Sequence, residues 1–448
     1  MASREQFSSR TGFIMAAAGS AIGLGNIWGF PTNTASNGGA AFVLVYFIMA
    51  FCLAYPALMA ELIIGRHSRS NIMTALRFIA PNKASRILGT GVGLYGVLTA
   101  SLILSFYGIV AGWMLSYLGE AAANMVGWQA AAEWLTGFSF ERNVISMGLF
   151  MLLTMAIISS GIEGGIEKWS TRLMPMLLVI MVALIVYVFT QPGAMEGLKV
   201  YLLPDISQIK PSLIIDAMGQ AFFSLSLGVG TMLVYGSYLS EKENLPRLGV
   251  AVTLVDTSIA FIAGLLIIPA IFVAQQYGTT IYNDSGALIA GPDLIFQVLP
   301  TLFESMGGIG VFVALAFFAL MSIASLTSSI SMLEVPVSLA VEETPASRKQ
   351  ATYIIGGAIF ACSTVILLSF ETLFGFVIDL TTVYSQPLLG VMLCIFTGWI
   401  WHRNNLLKEI KAGHPEIEGT LFWKIWPNYV KFFCPVLILL AFFQSVAG

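Results

Sequence analysis

Three glycines interrupt a long apolar segment near the start of the chain, in the run Gly19-Ser20-Ala21-Ile22-Gly23-Leu24-Gly25-Asn26. Glycine is poor material for a continuous helix. In lipid, every freed backbone N–H or C=O costs several kcal/mol, so a break at membrane depth survives only where the loosened backbone is buried in protein or lines a polar cavity. A second segment repeats the theme, Phe223-Ser224-Leu225-Ser226-Leu227-Gly228-Val229-Gly230. Two interrupted membrane helices at comparable places in two halves of a chain point to a secondary transporter with its binding site between them.

The composition agrees with a membrane bundle. Of 448 residues 57% are hydrophobic and only 10% charged, against roughly 25% charged in soluble domains. The net charge of −3 gives no reason to expect a nucleic-acid partner. The polar start, Met1 to Arg10, and the long apolar stretch after it do not read as a cleavable signal. Cys52, Cys362, Cys394 and Cys434 all sit in apolar runs and read as buried structural thiols, without metal-ligand or disulfide spacing.

Windows of about 20 apolar residues suffice to cross a bilayer. Eleven are expected, at roughly 11–36, 40–66, 87–119, 143–160, 170–190, 212–238, 247–276, 307–340, 350–369, 375–401 and 426–446. Residues 277–306, with Gly291-Pro292-Asp293, read as a structured outer loop. With the N-terminus inside, the inner segments hold most Lys and Arg, from Arg4 and Arg10 through Arg66, Arg69, Arg77, Lys168, Arg348 and Lys408; the outer ones hold only Arg142, Lys199 and Lys210. This bias sets the N-terminus in the cytoplasm, and an odd number of spans leaves the C-terminus outside. The expected fold class is an all-α polytopic membrane protein forming one unit over 1–448. Spans 1–5 and 6–10, about 11–190 and 212–401, read as two inverted five-helix repeats with unwound first and sixth helices; 426–446 is an extra helix.

Several of these runs are familiar. Arg4-Glu5-Gln6-Phe7, Gly19 through Asn26, Phe30-Pro31 and Asn37-Gly38-Gly39-Ala40 closely resemble the opening of the neurotransmitter:sodium symporter family. Gln220 through Gly228 resembles that family's sixth helix and Ala324-Ser325-Leu326-Thr327-Ser328-Ser329 its eighth. The resemblance runs from residue 1 to about 400 and is strongest toward the bacterial eleven-span amino-acid transporters. It implies two sodium sites. One takes the carbonyl of Ala21 and the side chains of Asn26, Ser224 and Asp256. The other takes the carbonyls of Gly19, Ile22 and Ala324 and the hydroxyls of Thr327 and Ser328. Serine and threonine in membrane helices also bond back to the preceding turn or pack between helices, and that alternative stands beside the ligand reading.

Asp256 is the sharpest single residue, because an acid in mid-span is expensive and marks function by default. Many family members carry a neutral amide at this position and some bind chloride nearby; the corresponding positions here are Tyr46, Gln220 and Ser224. A fixed carboxylate beside them makes chloride unnecessary. Glu61 is implied to support the loosened backbone of the sixth helix. Glu334 reads either as a solvated inner-vestibule acid or as a residue of the coupling machinery.

The substrate class follows from an absence. Monoamine carriers of the family have an acid in the first unwound segment, and the matching position here is Gly23. That leaves room for a substrate's own carboxylate, which could ligate sodium and meet backbone N–H groups at the positive helix ends. The implied substrate is a hydrophobic L-amino acid, held at Ala21, Leu24, Gly25 and Ser224. Its side chain faces Ile103, Tyr107, Phe223, Ser226, Val229, Ser328 and Met332. Tyr107 and Phe223 form an aromatic lid. Arg4 pairs with Glu342 beneath Tyr238 as an inner gate. The family's outer Arg position is Gly29, beside Trp28, which leaves Asp379 without its usual partner.

The expected activity is sodium-coupled uptake through the cell's inner membrane by alternating access. A proton-coupled carrier of the same fold would want a Lys or a titrating acid at the second sodium site, where Gly19, Thr327 and Ser328 offer none. A receptor that senses amino acids without coupled transport would want a signalling domain, and none is legible. An enzyme is not expected, since the membrane region shows no His–acid, Ser–His or metal cluster.

Overall fold

A computed structural model describes residues 5–282, 288 and 294–447. The described chain is nearly all helical. Helices α1 (Arg10–Ala21) and α2 (Phe30–Ser36) form the first interrupted span and bend by 55° at the break. α3 (Ala40–Ser68), α5 (Lys83–Met125), α7 (Phe140–Ile158) and α8 (Ile162–Phe189) follow, with short helices α4 (Ile72–Ile79) and α6 (Gln129–Thr136) between them. After the short α9 (Ala194–Leu202), the second interrupted span consists of α10 (Pro211–Ser224) and α11 (Thr231–Gly236). Then come α12 (Leu245–Gln276), α13 (Leu299–Ser305), α14 (Gly308–Glu343), α15 (Arg348–Leu368), α16 (Phe370–Ile400), α17 (Arg403–Gly413) and α18 (Leu421–Val446).

Among the described residues nine single helices are long and apolar enough to cross a bilayer, and the bent pair α1–α2 passes together. The sixth expected span, α10 with α11, is split by the six residues 225–230 and counts only if both pieces are read as one. The short helices were not anticipated, because each falls below spanning length. Arg4 and Gly291-Pro292-Asp293 lie outside the described residues. Cys394 and Cys434 are buried as expected, whereas Cys52 is exposed and Cys362 half-buried. A membrane bundle is apolar on its rim as well as in its core, so an apolar neighbourhood does not report burial.

Proline phases five of the seven irregular turns among the described residues. Wide turns, in which N–H groups reach back five residues, occupy Ile162–Glu167 and Phe396–Ile400 without a proline, and Gly25–Gly29, Ala50–Ala54, Leu294–Val298, Asp379–Ser385 and Tyr429–Phe433 with one. In each of those five a proline stands two residues beyond the turn: Pro31, Pro56, Pro300, Pro387 and Pro435. Its ring would strike the carbonyl four residues back and it brings no N–H to that carbonyl. Widening the preceding turn by one residue relieves both problems.

The second break is held from two sides. Ser226, Gly228 and Gly230 have φ of 52°, 86° and 81°, a region disfavoured for any residue but glycine. Glu61 of α3 answers the freed donors: Oε1 accepts the Gly228 N–H at 2.7 Å and Oε2 the Leu233 N–H at 3.2 Å. Gln386 of α16 answers a freed acceptor, donating to Leu227 O at 2.8 Å. α3 and α11 approach closely because of glycine. A Cβ on Gly65 would lie 1.9 Å from Leu233 O, and one on Gly236 would lie 2.9 Å from Leu62 O.

Glu61→Ala would leave both N–H groups buried and unpaired, each worth about 1–3 kcal/mol. The variant should lose folded, monodisperse protein at a markedly lower temperature than the parent, while Glu61→Gln should retain part of the difference. Size-exclusion recovery after a heating series checks this; equal recovery of Glu61→Ala and the parent would remove Glu61 from this role.

Candidate functional site

The helical ladder of α1 ends where Ile22 N–H bonds Ala18 O, and it resumes with Asn26 and Ile27 N–H on Gly23 O. The carbonyls of Gly19 to Ile22 fall in the interruption. Gly25 O is taken by Gln220 Nε2 at 2.8 Å, and Gln220 Oε1 accepts from Asn33 Nδ2 at 2.8 Å, so one side chain ties the two broken spans together. Ser226 Oγ closes the same gap from the second break, donating to Ser20 O at 3.1 Å.

Two oxygen-rich clusters flank the first break. In one, Asp256 of α12 is buried; its Oδ1 accepts Asn26 Nδ2 at 2.7 Å. Ser224 Oγ donates to the same carboxylate at 2.9–3.0 Å, and Tyr46 OH lies 3.2 Å from Ser224 Oγ and 3.4 Å from Asp256 Oδ2. Asn26 Oδ1 is buried and has no hydrogen-bond partner. Buried side-chain oxygens nearly always find one. The structure therefore brings Asn26, Ser224 and Asp256 together as expected, and adds Tyr46. Ala21 is buried at the end of α1.

In the other cluster, Ser328 Oγ of α14 reaches Gly19 O at 3.4 Å and Ser20 O at 3.1 Å. Thr327 Oγ1 bonds back to Ile323 O and Ala324 O, at 3.2 and 3.0 Å, and its Cβ abuts Gly19. Gly19, Ala324, Thr327 and Ser328 are thus gathered around one point. Ile22 is wholly buried.

The expected substrate wall is mostly buried: Ile103, Val229, Ser328 and Met332 all face inward, Ser226 is half-buried, and Phe223 is 37% exposed. Tyr107 OH accepts the Leu24 N–H at 3.3 Å, and a Cβ on Gly25 would sit 3.1 Å from the Phe223 ring. The two lid aromatics thus flank Leu24 and Gly25. The room expected at Gly23 is already filled: a Cβ there would lie 2.3 Å from Ser328 Oγ and 2.8 Å from Tyr107 OH. A cavity of about 430 Å³ borders Phe223, Gln220, Gly29, Asn33, Thr382 and Gln386. Phe223 is the one expected wall residue among those that line it.

Of the inner gate, Glu342 accepts from Asn71 N at 2.9 Å and Asn71 Nδ2 at 2.7 Å. Phe7 N–H bonds Tyr238 O at 3.1 Å, and the Phe7 ring packs edge-on against Tyr235 and Tyr238. Tyr238 OH donates to Glu334 at 2.5 Å. Glu334 is fully buried and ion-paired with Arg348, whose Nε also bonds Ile158 O at 2.9 Å. This corrects the option of a solvated acid: proline two residues on and a cation from the next helix place Glu334 inside the wall. At the other end Asp379 is exposed without an ion pair among the described residues, and Trp28 packs edge-on against Phe296 at 6.3 Å. Gln220 and Gln386 were not read as clamps, because an amide in an apolar run has no spacing signature; the breaks they serve were the only available hint.

The model of the sodium:neurotransmitter symporter family matches residues 4–146 and 142–448. The chain belongs to that family. It is 34% identical over 456 residues to the sodium-dependent transporter YhdH of Bacillus subtilis, covering 98% of this chain and 97% of that one. It superposes on the crystal structure of MhsT in complex with L-phenylalanine with a TM-score of 0.83 and 36% identity, covering 99% and 100%. The human sodium- and chloride-dependent taurine transporter is 27% identical over 467 residues, covering 91% of this chain and 73% of the relative. Family members are transporters, so the chain is a multi-pass membrane transporter of a sodium-dependent class and not an enzyme.

Gly23→Ala should push Ser328 from the Gly19 and Ser20 carbonyls. Binding of radioactive sodium to the purified protein should weaken by about tenfold or more, roughly 1.4 kcal/mol, with helical content unchanged. Undiminished sodium binding would show that this contact does not hold the second cluster in place.

Proposed function

We propose that the chain carries a hydrophobic L-amino acid across the cytoplasmic membrane together with sodium, by alternating access to a centre between its two broken spans. The observation that carries this reading is Asn26 Oδ1, a buried oxygen without a donor, beside the carboxylate of Asp256. A hard cation satisfies both, and transporters of this construction coordinate it with backbone carbonyls of unwound helices. Sodium is cargo in this scheme. The first site uses Ala21, Asn26, Ser224 and Asp256; the second uses Gly19, Ile22, Ala324, Thr327 and Ser328.

An amino-acid substrate fits the same surroundings. No acidic side chain stands in the first break to receive a lone amine, so the substrate supplies its own carboxylate. With the Gly23 position filled, that carboxylate belongs nearer Leu24 and Gly25, at the N-terminal, positive end of the second helical half. MhsT, similar over the full length, was solved with L-phenylalanine. The buried wall of Ile103, Val229 and Met332 suits an apolar side chain, and the adaptable thioether of Met332 tolerates different shapes.

Chloride has no task here. Tyr46 and Ser224 hydroxyls already engage the Asp256 carboxylate, and Gln220 is committed to Gly25 and Asn33. A second negative charge beside Asp256 would be repelled. The two halves, α1 to α8 and α10 to α16, read as repeats of opposite orientation, with the N-terminus cytoplasmic by the distribution of Lys and Arg. The Tyr238–Glu334–Arg348 network would close the inner face, and its separation would open the second sodium site to water.

In proteoliposomes, uptake of L-phenylalanine or L-leucine should require sodium and persist when gluconate replaces chloride. Thr327→Ala combined with Ser328→Ala should abolish it. Sodium-independent uptake would overturn the coupling, and dependence on chloride would overturn the role of Asp256.

Val229→Phe should shrink the wall and lose phenylalanine and tryptophan before leucine. A competition series against labelled leucine reads this; an unchanged order of preference would displace Val229 from the substrate wall.

A further inference from the structure

A second cavity, of about 690 Å³, lies away from the broken spans, between the C-terminal end of α5 and the segment α13–α14. Four aromatic rings line it: Tyr117, Phe296, Phe303 and Phe318. Tyr117 stacks on Phe318 with centroids 4.9 Å apart, and Phe296 lies 5.4 Å from Tyr117. Phe303 meets Phe318 edge-on at 6.4 Å. Two carboxylates, the half-buried Glu120 and the exposed Glu304, line the same space. Neither is ion-paired among the described residues. Glu120 is hydrogen-bonded by Asn124. The neighbouring cation, Arg142, is outside the lining: its Nε bonds Leu135 O at 2.6 Å, its Nη1 bonds Asn143 Oδ1 at 2.7 Å, and it lies over the Phe138 ring at 4.6 Å.

Two uncompensated carboxylates in an aromatic-walled hollow call for positive charge. A small metal ion is a poor fit, because it wants a shell of oxygens and gains little from ring faces. An organic ammonium ion gains from both: the carboxylates meet its charge, and its weakly hydrated alkyl groups meet the negative faces of the rings. We propose that this cavity is a binding site for an organic ammonium ion of the quaternary class. This inference stands apart from the transport reading. The bound cation bridges α5 to α13 and α14. Tyr107, on α5, lies ten residues from Tyr117, about 15 Å along the helix, and there touches Leu24. Occupancy of the cavity would therefore stiffen the helix that carries one half of the central lid.

The test uses the full chain in detergent at constant sodium and ionic strength. Choline is titrated against 3,3-dimethylbutan-1-ol, its uncharged counterpart in shape, and the unfolding midpoint is followed. Choline should raise the midpoint saturably and the alcohol should not. Glu120→Gln with Glu304→Gln should raise the half-saturating choline concentration by about tenfold or more. An equal shift from the alcohol, or an unchanged choline response in the double variant, would overturn the proposal. Thr136→Trp, which fills the rim and spares both carboxylates, guards against a double variant that fails to fold. It should lose the choline response too, and a full response would sink the assignment.

Discussion

The structure depends on satisfying backbone that has left its helix. Two spans come apart near the centre, and each releases N–H and C=O groups where water is scarce. Glu61 is the clearest answer. A single carboxylate on α3 accepts two backbone N–H groups of the second break, with 2.7 and 3.2 Å contacts. Gln386, Gln220 and Ser226 complete the account from three other elements. The unwound backbone is therefore a shared construction with α3, α10, α14 and α16, and its carbonyls are positioned by residues far away in sequence.

The two oxygen clusters differ in kind. Asp256 gives one a formal negative charge, and hydroxyls of Tyr46 and Ser224 are drawn onto it. The other is neutral, built from main-chain carbonyls and the hydroxyls of Thr327 and Ser328. A charged site holds a cation more firmly in a low dielectric than a neutral one of equal geometry. α14 carries Thr327 and Ser328 of the neutral cluster as well as Glu334, whose partner Arg348 begins α15.

Much of this was legible in the sequence because it was written as exceptions. Glycines inside apolar spans marked both breaks, and a mid-span Asp256 marked the charged cluster. Glu61 was expected to support the sixth helix, and it does. Other features had no local signature. Gln220 and Gln386 look like isolated polar residues, and only the fold shows which carbonyls they meet. Glu334 could not be placed without Arg348, which comes from the next helix. Arg66, fully buried against Glu409 and Glu243 O, looked like one more inner-side charge. Gly23 read as space, but the neighbouring side chains of Ser328 and Tyr107 occupy it. The short helices α4, α6, α9 and α17 carried too little hydrophobic length to stand out.

The wide turn ahead of Pro31 does more than accommodate a ring. In a regular helix, residues seven apart share a face, as Asn26 and Asn33 would. One extra residue in the intervening turn rotates everything beyond it by about 100°. Asn26 consequently meets Asp256 while Asn33 meets Gln220. A single proline thus acts as an indexing device: it lets one short span address two different partners, and shortening the turn by one residue would turn both amides toward the same neighbour.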